Sequence, residues 1–507
     1  MAAPNEKLAA SLTVLRRLQR RGRHVLQSQN LSRVHRERLL RSGFVQEVMK
    51  GWLISSSPGA GDGESTPWYA SFWEFCAHYC GKRFGGQWRL SPEQSLLLHA
   101  EKTVIPPQVI VQSPKGTNHK LDLLFGTSLY EMKQPRMPPP TDLIVRNGLR
   151  LFTPEAALIR VPESFIAGNA IETRVVIASI RDPADLLRRL LDGGHSVVAG
   201  RLAGALRRIG RADSGDEIIT TMKAAGYDVR ETDPFAGQQS VTQIPAGTPP
   251  IVGRMQAMWA SMRGKVLKVF PPPPGLPRNK RAYLRSVEEI YRSDAYHSLS
   301  IEGYRVSIEL IERVRAANNP QSRDALAARG YWQAFQSVKG NIAGIVGGEN
   351  PGRLVRAAHR EWYRELFQPG VGAGLVEPAA LAGYRNDAVY LRTSRYVPPR
   401  WEAVRDAMPA LFDLLENEPE PGVRAVLGHW LFGYVHPYRD GNGRMARFLM
   451  NAMLASGGYP WTVIRVEDRA AYLAALDRAS IDMDIGPFVK FLADCVRNSD
   501  QSARRMR

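Results

Sequence analysis

The stretch HPYRDGNGRMAR, residues 436–447, decides how this chain is read. The residues before it, RAVLGHWLFGYV (424–435), are apolar enough for a buried helix, which Pro437 ends. MARFLMNAMLASGG (445–458) is a second strongly apolar helical segment, closed by two glycines. The loop therefore sits at a helix N-terminus, where unpaired N–H groups and the positive end of the dipole attract an anion. Gly441 and Gly443 lack a Cβ, so the backbone there can approach a phosphate closely. Asn442 tolerates left-handed geometry and offers a further donor.

The side chains in the stretch suit phosphoryl or nucleotidyl transfer. Asp440 is a hard oxygen ligand for Mg²⁺, which ordinarily bridges one or two carboxylates to substrate phosphates. Arg444 and Arg447 supply fixed positive charge and forked donors for a phosphate chain. His436 has no other evident duty and is the candidate general base for an attacking hydroxyl. The plainer alternative, a capped helix with surface arginines, leaves the co-occurrence of so many matched residue types unexplained.

The stretch resembles the signature HPFx[D/E]GNGRxxR of the Fic family, departing only at Tyr438, where Phe is usual. An aromatic there still anchors the loop, and its hydroxyl must find a partner or water. The resemblance extends over about residues 281–496 and implies an all-α Fic fold. GYRNDAVYLRTSRYVPP (383–399) resembles the family's short flap β-hairpin, which holds a target peptide by strand-like pairing; residues 354–374 and 472–492 resemble the helices that frame the core. The implied activity is transfer of AMP from ATP to a Ser, Thr or Tyr hydroxyl of a protein, with pyrophosphate released. The implied roles are His436 as base, Asp440 as Mg²⁺ ligand, Gly441, Asn442 and Gly443 as anion hole, Arg444 on the phosphates and Arg447 on the γ-phosphate. Gly443, where Doc-type kinases carry Lys, favours AMP transfer over phosphate transfer, while the donor base stays open.

Upstream, SLSIEG (298–303) matches [S/T]xxxE[G/N], the inhibitory helix of many Fic proteins. The resemblance implies that Glu302 pairs with Arg447, occupying the donor that the γ-phosphate needs, while Ser298 pins the helix. A charge-assisted bidentate pair is strong enough for that competition. In some relatives the same Glu activates water to remove AMP, so two other readings stand beside the first. One is an enzyme that mainly removes AMP; the other is a non-catalytic nucleotide-binding regulator, against which the intact His436 argues.

Away from this region, 507 residues imply several domains, and 44% hydrophobic with 23% charged residues excludes wholesale disorder. Cys76, Cys80 and Cys495 cannot form a disulfide framework, and Cys76-x-His78-x-Cys80 lacks the second ligand pair of structural zinc. With neither a secretory leader nor a membrane span in the sequence, the expectation is a cytoplasmic protein without membrane contact. Residues 235–280 are rich in Pro, Gly, Gln and Thr, ending in Pro271–Pro274, and read as a linker. Residues 68–234 read as mixed α/β, with strands at 108–112, 121–125 and 142–146 and helices at 154–160, 183–191 and 197–209.

Residues 1–55 carry eleven Lys/Arg against three Asp/Glu, out of 68 and 49 in the whole chain, whose net charge is +19. Leu8, Leu12, Leu15 and Leu18 predict one helix, Ser32 caps a second that stops at Gly43, and residues 44–54 suit a hairpin broken at Lys50-Gly51. That order predicts a winged helix-turn-helix, with Ser32, Arg33, His35 and Arg36 where a recognition helix meets DNA. Residues 55–67 read as a loop, and residues 497–507 as a basic tail. The first 235 residues also resemble the abortive-infection antitoxins of type IV toxin–antitoxin systems, transcriptional repressors with a winged helix and a larger α/β domain. The segments carrying that likeness are GWLI, LSPEQSLLLHAEKTVIPPQVIV and VRNGLRLFTPEAALI. Expected partners are ATP, a hydroxyl-bearing protein target, DNA and a second copy of the chain as homodimer.

Overall fold

The computed structural model describes residues 4–20, 24–58, 64–237, 243–316 and 322–505; residues 59–63 of the expected loop lie outside the described residues. The chain divides into two units. Met1–Gln238, Gln243–Pro250 and Tyr390–Val397 make the first; Gln239–Thr242, Ile251–Val389 and Pro398–Arg507 make the second.

The first unit opens with α1 (Pro4–Gln19), whose Leu15 joins Leu26, Leu31, Leu39, Val45 and Leu53 in a small core while Arg16, Arg17 and Arg20 point away from it. β1 (Val25–Gln27) pairs antiparallel with β3 (Trp52–Ser55), and β3 pairs with β2 (Val45–Met49). The hairpin turns at Lys50-Gly51, where Gly51 has φ 89°. Before α2 (Arg33–Arg41), the Ser32 hydroxyl accepts from the His35 N–H, as its N-cap position predicts. Only a 3-10 turn, Ser28–Asn30, stands between β1 and α2, where a helix-turn-helix has a full helix.

The larger part of the unit packs α3 (Thr66–Phe84) on a sheet. α3 buries Trp68, Phe72, Phe75, Cys76, Cys80 and Phe84, so both cysteines are core residues and burial pushes their thiols up. After β4 (Arg89–Leu90) and α4 (Pro92–His99) come β5 (Gln108–Ser113), β6 (His119–Asp122) and β7 (Ser128–Lys133), in sheet order β4-β5-β7-β6. The expected strand at 121–125 stops at Asp122: Phe125, at φ 51°, lies in a 3-10 turn that folds the chain back so that Asp122 faces Ser128. β8 (Leu143–Arg146) and β9 (Leu149–Phe152) form a hairpin. Helices α5 (Pro154–Arg160), α6 (Glu163–Gly168), α7 (Ala170–Ser179), α8 (Ala184–Asp192), α9 (Ser196–Arg208) and α10 (Ala212–Ala224) complete the unit.

The expected flap hairpin is corrected: residues 383–399 contain no strand. The backbone of this segment is committed elsewhere. In the first unit, Ile105 N donates to Arg395 O at 2.9 Å, and Arg395 Nε donates back to Ile105 O at 3.0 Å. Arg392 pairs with Glu64 at 2.8 Å. Thr393 is left-handed at φ 58°, which breaks an extended run.

The second unit is helical. The expected linker at 235–280 is also corrected, because α11 (Pro250–Val269) runs through it. Ile251, Met255, Met258, Met262 and Val266 recur at helical spacing and are buried. Trp259 Nε1 and Arg263 both donate to the buried Glu418 carboxylate, at 3.1 and 2.8–3.0 Å. The prolines that follow are held too, with Tyr459 Oη donating to Pro271 O at 2.6 Å. Next come α12 (Lys280–Ile301), α13 (Ile308–Ala316), α14 (Arg323–Gly347), α15 (Pro351–Gly372), α16 (Val404–Asn417), α17 (Pro421–Val435) and α18 (Asn442–Ala455). α19 (Arg469–Ile481) and α20 (Gly486–Arg505) follow, α20 continuing through residues expected as a tail. α17 and α18 are buried on all sides, which their apolar sequences require. No helix of the described residues is long and apolar enough to cross a membrane.

Candidate functional site

The loop between α17 and α18 is built by its own backbone. His436 caps α17 in left-handed conformation at φ 50°, ψ 60°, and Pro437 then prevents the helix from continuing. Gly441, at φ 82°, caps α18, and Asp440 Oδ1 accepts from the Gly441 N–H at 2.6 Å. Asn442 was expected to face an anion, but its amide is spent on the loop. Its Oδ1 accepts from Tyr438 N at 2.9 Å and its Nδ2 donates to Tyr438 O at 2.8 Å. Tyr438 is 1% exposed and stacks on Tyr363 at 3.7 Å, anchoring the loop in the core. Its hydroxyl is buried without a hydrogen-bond partner.

Three elements bring the expected residues together. Arg447, 3% exposed, donates from Nε to Ser298 Oγ at 2.8 Å and from Nη2 to Ser298 O at 3.0 Å and Glu302 Oε1 at 2.7 Å. Ser298 and Glu302 come from the last turn and C-cap of α12, so the SLSIEG motif and the loop meet on one guanidinium. Burial disfavours the Glu302 carboxylate, but Arg447 and Arg444 outweigh it and hold the group below the usual carboxylate range. The same oxygen lies over Gly443: a Cβ there would come within 2.2 Å of Glu302 Oε1. The Glu302 carboxylate thus sits directly against the first turn of α18, where the helix dipole favours negative charge.

Arg444 is 1% exposed and sandwiched between Phe367 at 5.0 Å and Tyr304 at 5.2 Å. Its Nη2 lies 3.5 Å from Asp440 Oδ2, and its Nε is buried without a hydrogen-bond partner. Phe367 and Tyr304 were missed in the sequence, because a lone aromatic carries no sign that it faces a guanidinium. Burial, with Arg385 adding to it, lowers the His436 ring to about 4, against the opposing pull of the Gly433 carbonyl, Glu302 and Asp440. The imidazole is therefore neutral at pH 7 and has a lone pair for a proton.

Asp440 fits a Mg²⁺ ion bridged to phosphates. Its side chain is 61% exposed, and the contact of its Oδ2 to Arg444 is long, at 3.5 Å. Among the described residues no group of three or more His, Cys, Asp or Glu side chains could hold a metal alone, so the remaining ligands would be phosphate and water oxygens.

The residues expected to contact DNA lie at the start of α2. Ser32 caps α2, the His35 ring is 2.9 Å from Ser11 Oγ, and Arg33 pairs with Glu37 at 2.8 Å. Ser32 and His35 therefore hold the small domain together, while Arg33 remains 83% exposed.

A loop at a helix N-terminus, with a neutral histidine and two buried arginines beside it, has the make-up of an anion site. Residues 353–454, mostly within the second unit, match the Fic/DOC family. "Protein adenylyltransferase Fic" of Nematostella vectensis is 31% identical over 232 residues, covering 44% of this chain and 51% of that protein. "Protein adenylyltransferase fic-1" of Caenorhabditis elegans is 34% identical over 236 residues, covering 45% of this chain and 43% of that protein. The chain spans about half the length of these curated relatives. Among solved structures, "Fic-1 (aa134 - 508) from C. elegans" is 18% identical at TM-score 0.38, covering 68% of this chain and 99% of that one.

Proposed function

We propose that the second unit is an autoinhibited protein adenylyltransferase that moves AMP from ATP to a Ser, Thr or Tyr hydroxyl of a protein. The observation that carries this reading is the neutral His436 beside an anion-binding helix N-terminus whose arginine is held by Glu302. The target hydroxyl gives its proton to His436 as its oxygen attacks the α-phosphorus. A bond forms there, the bond to the α,β-bridging oxygen breaks, and pyrophosphate leaves. The first-turn N–H groups of α18 stabilise charge that develops on the α-phosphate oxygens. Arg444 and Arg447 hold the leaving phosphates. Asp440 would hold Mg²⁺, which when bound would supply charge neutralisation along the phosphate chain.

Incubation with α-labelled ATP and Mg²⁺ is expected to label protein, and γ-labelled ATP is not. Transfer of the γ label instead would overturn AMP transfer in favour of phosphate transfer.

For residues 1–55 we propose DNA binding in the manner of an antitoxin-like repressor, supported by the hairpin following a capped α2 and by the basic side chains Arg16, Arg17, Arg20 and Arg33 outside the small core. The phosphate backbone then dominates affinity, so binding to duplex DNA should fall steeply between 50 mM and 200 mM salt, roughly 10³-fold for about six phosphate contacts. Binding that ignores salt would remove this reading.

A further inference from the structure

Arg385 has no part in the roles assigned so far, yet it lies beside the loop and is only 3% exposed. Its guanidinium reaches four carbonyls. Nε donates to His436 O at 2.8 Å, Nη1 to Asp387 O at 2.9 Å, and Nη2 to Val435 O at 3.4 Å and to Pro399 O. Its own backbone N–H donates to Pro437 O at 2.9 Å. Three consecutive carbonyls, of residues 435, 436 and 437, are thus fixed by one arginine.

The chain needs such a clamp there. A helix ends with carbonyls that have no intrahelical donor. At the end of α17 the next residue is Pro437, which has no N–H to give, and His436 sits in the left-handed region, uncommon for any residue but glycine. The His436 N–H still bonds back to Phe432 O at 3.0 Å, but the direction of its carbonyl, and with it the Cα–Cβ vector that aims the imidazole, depends on an external donor. Arg385 is that donor, and a cation suits the negative end of α17. It simultaneously ties down both ends of the segment running from Asp387 to Pro399, and Asp387 is paired in turn with Arg439 of the loop at 2.8 Å.

We propose that Arg385 is a positioning residue for the transfer reaction, holding the backbone of His436 so that its imidazole meets the incoming hydroxyl. The role rests on the adenylyltransferase reading above. It acts through His436 and touches neither nucleotide nor target. A misplacement of about 1 Å at a reacting group is enough to cost roughly 100-fold in rate.

The test uses the full chain with Glu302→Gly as parent, so that a parent which fails to label protein from α-labelled ATP condemns the adenylyltransferase reading and not this one. Arg385→Lys keeps the charge but cannot fork across the four carbonyls that the guanidinium reaches; Arg385→Gln keeps two donors without charge. In either variant kcat is expected to fall about 10- to 100-fold with KM for ATP within about twofold, because the nucleotide is held by other residues. Lys is expected to retain more activity than Gln. A kcat within about threefold of the parent overturns the proposal. So does a rise in KM that matches the fall in kcat. Melting of both variants below the assay temperature also overturns it, since Arg385 would then be needed for the fold and not for aim.

Discussion

His436→Ala is expected to reduce AMP transfer by about 10²–10⁴-fold, the range a positioned general base contributes. The side chain is half-buried at the end of α17, and its removal leaves the Arg385 bond to the residue 436 carbonyl in place. The loop should therefore keep its shape, and nucleotide affinity should change little. The pH behaviour of the parent separates base catalysis from mere packing. Because burial lowers the ring to about 4, protonation removes the base only as pH falls towards that value, and the rate limit set by this group is flat from pH 8 down to about pH 5. An ordinary histidine would already halve the rate near 6.5. Label transfer measured across that range, in parent and variant, decides both points; a variant as active as its parent would end the assignment.

Glu302→Gly is expected to raise the rate. The carboxylate takes the Arg447 Nη2 donor at 2.7 Å, and hydrogen bonds to charged groups contribute about 1.5–3 kcal/mol. Freeing that donor for the phosphate chain therefore corresponds to roughly 10- to 150-fold. The variant should fold, since Arg447 keeps its two bonds to Ser298. Loss of the Glu302 side chain would also open the space over Gly443 that the carboxylate now fills. The measurement is initial label incorporation from α-labelled ATP at saturating nucleotide. An unchanged or lower rate would mean that the Glu302–Arg447 pair is structural.

The site was legible because its chemistry is compressed into the consecutive residues 436–447 and one short upstream motif. Residues as far apart as Glu302 and Arg447 could be paired on motif alone, and Arg447 Nη2 lies 2.7 Å from Glu302 Oε1. Arg385 was not legible: a single arginine in a polar segment has no periodicity, and its importance lies in carbonyls that only the folded end of α17 presents. Periodicity worked for α1, where Leu8, Leu12, Leu15 and Leu18 recur at helical spacing. α11 was overlooked although Ile251, Met255, Met258 and Met262 keep helical spacing, because prolines on either side dominated the composition of the window. The flap failed for a different reason. Its residues have strand-like composition, but strand pairing needs free backbone partners, and the Arg395 carbonyl is taken by Ile105.

Glu302 is delivered by the end of α12, a helix of 22 residues, and is therefore tethered at a fixed local concentration beside Arg447. A tethered competitor does not dilute. On the proposed autoinhibition, the fraction of molecules held inactive would be set by the α12 contact and by nucleotide, and would not depend on protein concentration. A rate per molecule that varied with protein concentration would have to come from a second copy disturbing α12, which makes a simple dilution series a direct probe of whether copies communicate.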